Sequence, residues 1–257
     1  MQWGGVSCPM LFKARVRLYL SLIIPAFREA TRIVPTLEKV VAYLSAASYD
    51  SEILVVDDGS PDNTIQVVQQ FIDSATLPFT VSLRLIALGS NMGKGGAVRK
   101  GMLDAKGKIR IFTDADLSTP IQEVEKLFTA IEKEGYDVAI GSRALQKELI
   151  KVHQPWYRET MGRFFNLLVQ LMVFRGIKDT QCGFKGFTAE AAQQVFSAQK
   201  VMGFSFDVDI LFLAKKLGYK IKEVPVEWYN DERTTVGALS DSSKMFFELL
   251  RIKRLHK

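Results

Sequence analysis

Only two cysteines and two histidines occur in 257 residues: Cys8, Cys182, His153 and His256. A disulfide framework is thereby excluded, as is a typical zinc centre or a histidine-centred triad with a histidine to spare. Any metal here is expected on oxygen ligands. No run approaches the roughly 18 uninterrupted apolar residues of a membrane-spanning helix. The apolar stretch from Tyr19 to Phe27 is short and ended by Pro25, so it reads as a buried strand. There is no secretory leader, internal repeat or linker, which makes a single domain in a reducing cytosol the expectation. Basic residues are scattered, not interleaved with aromatics in one patch, which disfavours nucleic acid as a partner.

The chain that remains is an ordinary globular one. Hydrophobic residues make up 47% and charged residues 24%, enough to fill the core of one large α/β domain. The net charge of +6 favours anionic ligands or an acidic lipid surface. Four strand–turn–helix units follow one another. The strands are read at Leu20–Pro25, Glu52–Val56, Leu83–Leu88 and Ile109–Asp116. The first three helices are read at Arg32–Ser45 (capped by Thr31), from Ser60-Pro61 through Phe71, and at Ala97–Ala105. Such alternation with near-continuous apolar strands predicts a parallel sheet covered on both faces, with ligands along its C-terminal edge. Further on, strands are expected at Asp137–Ser142, Gly183–Phe187 and Lys220–Trp228, and helices at Trp156–Arg175 and Phe206–Lys216.

Carboxylates gather at the strand ends. Asp114 and Asp116 close the fourth strand, and the next helix has its own start in Ser118 or Thr119 before Pro120, which leaves both aspartates spare. Paired carboxylates there suit a hard divalent cation, and that cation suits the phosphates of a nucleotide. Asp57 and Asp58 end the second strand, where a carboxylate can accept from a base or ribose, although one of them can equally cap a helix. Pro25, Ala26 and Glu29 occupy the first turn, and Glu29 alternatively complements the following helix dipole. Gly93-Lys94-Gly95-Gly96 lacks the spacing of a Walker loop. It can still offer backbone N–H groups and a cation to a phosphate, or be a packing turn with a solvated lysine.

These motifs together resemble family 2 glycosyltransferases of the GT-A fold. The match runs through Ile24-Pro25-Ala26-Phe27-Arg28-Glu29, Val55-Val56-Asp57-Asp58-Gly59-Ser60-Pro61-Asp62-Asn63-Thr64, Asn91 to Arg99 and Thr113-Asp114-Ala115-Asp116. Gly141-Ser142-Arg143, Asp179 to Thr188 and Phe206-Asp207-Val208-Asp209 are similar to the dolichyl-phosphate glucosyltransferase branch. The resemblance implies inverting transfer from a UDP-sugar to a polyprenyl phosphate, with Mg2+ or Mn2+. It implies that Pro25, Ala26, Glu29, Asp57 and Asp58 hold the uridine, and that Asp114, Ala115 and Asp116 meet the metal and diphosphate. Asp207 stands where hydroxyl-using relatives keep a base. Two features depart from the branch: Leu117-Ser118-Thr119-Pro120 leans toward the mannosyl enzymes, and the usual membrane-spanning anchor has no counterpart.

A phosphate acceptor needs cations rather than a base, which nominates Arg143 and Arg163 for its phosphate, with Asn166 as a further contact. Glu159, Arg163, Asn166 and Gln170 form a polar stripe on an otherwise apolar helix, which is either core or membrane-facing. Arg163 can alternatively pair with Glu159 alone. From Ser243 the chain mixes Phe246, Phe247 and Leu250 with Arg251, Lys253 and Arg254, as suits a helix on anionic lipid or a solvated basic tail. The expectation is thus a basic lead-in over 1–18, a catalytic domain over 19–235 and an amphipathic helix over 236–257. The enzyme would be cytoplasmic and peripheral at the cytosolic face of a membrane, with homo-oligomers left open. Transfer of mannose from GDP-mannose, a hydroxyl or glycan acceptor, and a non-catalytic nucleotide-sugar module are the alternatives.

Overall fold

The structure, a computed structural model, describes residues 18–231 and 240–257. Most of the expected lead-in, and residues 236–239 of the C-terminal unit, lie outside them. The described residues form a mixed α/β unit with a mostly parallel seven-stranded sheet. In chain order the first half is β1 (Leu20–Ala26), α1 (Ile33–Ser45), β2 (Ser51–Asp57), α2 (Thr64–Ser74), β3 (Val81–Ala87), α3 (Lys94–Asp104), β4 (Ile109–Phe112) and α4 (Val124–Phe128). The second half is β5 (Val138–Ser142), β6 (Ile150–Val152), α5 (Trp156–Met172), β7 (Lys185–Thr188), α6 (Ala189–Ala198), α7 (Phe206–Lys216), β8 (Ile221–Pro225), β9 (Trp228–Tyr229) and α8 (Ser240–Leu255).

The sheet order is β3-β2-β1-β4-β7-β5-β8, with β6 and β9 paired separately. Alternation along the strands splits the core between two faces. Leu22, Ile24, Ile53, Val55 and Ile111 pack with Leu37, Val40 and Leu44 of α1, whereas Ile23, Leu54, Val56 and Phe112 pack with α3, α6 and α7. A third, smaller core joins Val169 of α5, Val208 of α7, and Leu249 and Ile252 of α8.

Several boundaries move for local reasons. Thr31 does not cap α1, whose first residue follows Arg32 without a side-chain cap. Helix α2 starts at Thr64, three residues beyond Pro61, because Asp62 Oδ1 first accepts the Thr64 N–H (3.2 Å). Helix α3 begins three residues earlier than expected, at Lys94 itself. Strand β7 runs antiparallel to both neighbours, and the other pairings in this sheet are parallel, as a mostly parallel sheet requires. Helix α6, capped by Thr188 accepting from the Ala191 N–H, was not anticipated.

Candidate active site

The ends of β1 and β2 build one wall. The Ala26 carbonyl accepts the Asp58 N–H (2.9 Å), while the Asp58 carboxylate accepts from the N–H groups of Met92 (2.7 Å) and Gly93 (2.9 Å). Asp58 therefore clamps the glycine turn, and burial together with Asp57 raises its carboxyl above the usual range against those two bonds. Asp57 behaves differently. Its Oδ2 accepts the Ser60 N–H (2.9 Å), yet Oδ1 is buried without a hydrogen-bond partner among the described residues. An orphaned carboxylate oxygen is costly unless a ligand N–H or O–H meets it. Pro25 is half-buried in β1. Glu29 is buried, donates its backbone N–H to Thr64 Oγ1 (2.9 Å), and is gripped by the Arg32 guanidinium, with Nη2 to Oε1 at 2.6 Å.

The second wall stands at the end of β4. Asp114 and Asp116 are not both spare. The Asp114 carbonyl accepts the Leu117 N–H (3.1 Å), Asp116 Oδ1 accepts the Ser118 N–H (2.9 Å), and Leu117 sits at φ 47 to close this turn. Ser118 and Thr119 cap nothing; the next turn is a 3-10 segment, Ile121–Glu123, leading into α4. Lys94, the first residue of α3, places its ammonium 2.6 Å from Asp114 Oδ1. Burial and the neighbouring Asp114 raise the Asp116 carboxyl, opposed by Ser118 and Lys94. Burial works against the Lys94 cation, but Asp114 and Asp207 outweigh it and raise its pKa. Three glycines allow this approach. A Cβ on Gly183 would lie 2.0 Å from Asp114 Oδ2, one on Gly95 would lie 2.4 Å from Phe206 Cβ, and Gly93 takes φ 89. Ala115 is buried, with its carbonyl accepting from Thr36 Oγ1.

The third wall comes from β5, β7 and α7. Arg143, following β5, forms a fork with Asp179: Nε to Oδ2 at 2.7 Å and Nη2 to Oδ1 at 2.9 Å. Its backbone N–H meets the same Oδ2 (2.9 Å), and its guanidinium carbon lies 5.5 Å from the Trp228 ring centre. Despite burial, the Arg143 charge holds the Asp179 carboxyl down to about 2. Glu223 orders the loop before it by accepting from the N–H groups of Lys178 (2.8 Å) and Asp179 (2.9 Å). Asn166 donates to the Lys178 carbonyl (2.8 Å), tying α5 to that loop. Arg163 is exposed and pairs with Glu159 one turn back, so it is not brought to the Arg143 cluster by any contact. Asp207, in the first turn of α7, is buried and ion-paired with Lys185 of β7.

A model of the family described as "Glycosyl transferase family 2" matches residues 21–196. The chain belongs to that family. Among curated proteins, a dolichyl-phosphate beta-glucosyltransferase of Dictyostelium discoideum is 35% identical over 246 residues, covering 92% of this chain and 74% of that one. The Saccharomyces cerevisiae protein of the same name is 36% identical over 250 residues, with 92% and 74% covered. Among solved structures, glucosyl-3-phosphoglycerate synthase of Mycobacterium tuberculosis in complex with UDP superposes with a TM-score of 0.66. It shares 17% identity, with 98% of this chain and 86% of that one covered. The same enzyme has been crystallised with Mn2+, UDP and glucosyl-3-phosphoglycerate (TM-score 0.66, 18% identity, 91% and 79% covered). The fold is thus that of GT-A enzymes, and the protein is a glycosyltransferase.

Sequence reasoning about this glycosyltransferase missed Lys185, Gly183 and Glu223, and gave Asp179 no role of its own. A lysine inside the apolar run Cys182-Gly183-Phe184-Lys185-Gly186-Phe187 was the one available signal, since a lysine there must find a buried anion. Outside the crevice, α5 leaves Trp156, Phe164, Leu167 and Leu171 exposed at 78%, 59%, 51% and 64%, and α8 adds Phe247 at 63% and Leu250 at 45%. Helix α8 is nonetheless anchored. His256 and Asp209 pair in the interior, and Leu249 and Ile252 are buried. Among the described residues no helix is long and apolar enough to cross a membrane.

Proposed function

We propose that this glycosyltransferase moves glucose, with inversion, from UDP-glucose to the phosphate of a dolichol or related polyprenol at the cytosolic face of a membrane. The observation that carries this reading is the pairing of both carboxylates on the acceptor side: Asp179 with Arg143 and Asp207 with Lys185. A hydroxyl acceptor must lose a proton to a positioned base. A phosphate monoester, with its second pKa near about 6, arrives already anionic and needs cations instead. The dolichyl-phosphate glucosyltransferases among the relatives support that acceptor and that sugar.

In this reading Asp57 Oδ1 accepts from the uracil or ribose, with Pro25, Ala26 and Glu29 lining the same wall and Asp58 holding the glycine turn. Lys94 turns its ammonium to the donor diphosphate. Arg143 keeps Asp179 on Nε and one Nη and offers the remaining Nη to the acceptor phosphate, with Asn166 ordering the loop beneath. An acceptor oxygen then attacks the anomeric carbon, and its bond to the β-phosphate oxygen of UDP breaks without proton transfer. Asp114 and Asp116 fit a divalent cation. They are hard oxygen donors on one turn, and no cluster of three or more candidate ligands occurs among the described residues, so phosphate and water oxygens would complete the shell. Mg2+ or Mn2+ held there would neutralise the charge that develops on the leaving UDP. The exposed apolar side chains of α5 and α8 rest on the lipid surface from which the acceptor's chain emerges.

Incubation with dolichyl phosphate and a panel of UDP- and GDP-sugars tests this. The expected result is a lipid-linked glucose, formed at least about tenfold faster than any other lipid-linked sugar. Arg143→Ala should raise KM for the lipid phosphate well above any change for UDP-glucose, and Arg163→Ala should do so more weakly because its pair is exposed. Transfer to a hydroxyl acceptor alone would overturn the reading.

A further inference from the structure

Lys185 is wholly buried in the middle of the sheet, opposite Phe112 of β4 and Ile140 of β5. A lysine there is held only by what its ammonium meets. It donates to the Asp207 carboxylate and to the Cys182 carbonyl, with the Phe112 ring centre 5.5 Å away. Asp207 does not end the line. Its helix α7 meets α3 where Phe206 packs against Gly95, so Asp207 and Lys94 each lie one residue from that contact, and Gly183, next to the Cys182 carbonyl that Lys185 meets, packs on Asp114. Lys94 in turn reaches Asp114. Charges therefore alternate from the interior to the crevice: Lys185, Asp207, Lys94, Asp114.

We propose that Lys185 is a positioning residue for the transfer reaction, anchoring Asp207 as a buried counter-charge that sets where Lys94 sits, so that Asp207 acts through Lys94 and not as a base. This rests on the proposed acceptor chemistry and adds to it a role for a side chain that never touches substrate. With Lys185 present, Asp207 is satisfied from below and Lys94 is shared with the crevice. Without it, Asp207 is a buried anion short of a cation, and Lys94, at the same α3–α7 junction, is drawn away from Asp114 and the diphosphate.

The signature is a non-additive double variant. Lys185→Met should lower kcat about a hundredfold and weaken UDP binding, which titration calorimetry reads without acceptor. Asp207→Asn leaves Lys94 on Asp114 but strands the buried Lys185 ammonium, so it should lose less than Lys185→Met, about tenfold in kcat with a matching loss of UDP affinity. Lys185→Met/Asp207→Asn should recover to the Asp207→Asn level, because the stranded anion is gone. Lys185→Arg should restore part of both readouts. If Lys185→Met does not fold, the comparison of Asp207→Asn with the double variant decides. Equal activity and UDP affinity support the inference, and a double variant about tenfold or more below Asp207→Asn overturns it. Loss of turnover in Asp207→Asn with UDP binding intact also overturns it and restores Asp207 as a base. Wild-type protein that binds UDP but gives no lipid-linked sugar would instead refute the acceptor assignment, leaving the UDP-binding arm to test Lys185.

Discussion

The two sides of the crevice differ in what they leave unmatched: Glu29, Asp58 and Asp114 have partners on the donor side, but not every carboxylate there does. On the donor side Asp57 keeps a buried oxygen without a partner among the described residues, and Asp116 is bonded by one backbone N–H while burial and Asp114 raise its pKa. On the acceptor side Asp179 and Asp207 are each matched to a cation inside the fold. Unsatisfied acid stores a cost that a ligand N–H or a cation can relieve, whereas satisfied acid contributes to holding the chain together. On the proposed reading, the donor side stays incomplete until the nucleotide-sugar arrives, and the acceptor side, complete in itself, meets its ligand with spare positive charge.

The largest break in that comparison should come from Asp116→Asn. It removes a charge the fold does not favour, so turnover of UDP-glucose should fall by about a thousandfold while the melting temperature stays level or rises. Chelation of wild-type protein with EDTA should reach the same low rate. A variant with near-normal turnover would place the phosphates elsewhere.

The donor wall was largely legible in the sequence because each of its parts is local. A short apolar strand, a turn and a helix start carry Asp57, Asp58, Lys94, Asp114 and Asp116 on contiguous stretches, and the β1, β2 and α7 readings lie close to the observed elements. The acceptor wall was not. Its pairs join residues 36 apart, as in Arg143 with Asp179, or 22 apart, as in Lys185 with Asp207. They depend on β7 entering antiparallel between β4 and β5, and four residues with a glycine among them carry no signal of direction. Arg163 shows how far local spacing reaches: the pair with Glu159 four residues back, one of its two readings from the sequence, is present in the structure, and its role toward a phosphate is left to Arg163→Ala.

Gly183→Ala should sharpen the comparison from the other side, since Gly183 belongs to the acceptor loop yet touches a donor carboxylate. An added methyl at 2.0 Å from Asp114 Oδ2 must displace either the loop or the carboxylate. A misplacement of about 1 Å in such a site costs on the order of a hundredfold in rate. The expected outcome is that loss in kcat with a smaller change in KM for lipid phosphate. An unaltered kcat would mean that Asp114 has room to retreat without consequence.

The smallest effect in rate, and the clearest in stability, belongs to Asp179. Its carboxyl titrates near 2 in place of the ordinary 3.8, a difference of about 2 kcal/mol in favour of the folded chain. Because the folded value lies below the unfolded one, this contribution is complete above about pH 5 and is lost as pH falls toward 2. Asp179→Asn should lower stability by at least that amount near neutrality, since Arg143 is then left beside a neutral amide with burial opposing its charge. In urea unfolding, the gap between wild type and variant should be flat from pH 7 to about 5 and should shrink by about 1 kcal/mol by pH 3. UDP binding, which belongs to the other wall, should change little at neutral pH. A gap independent of pH would mean that the arginine does not hold the carboxylate charged, and the acceptor wall would then be no better satisfied than the donor wall it faces.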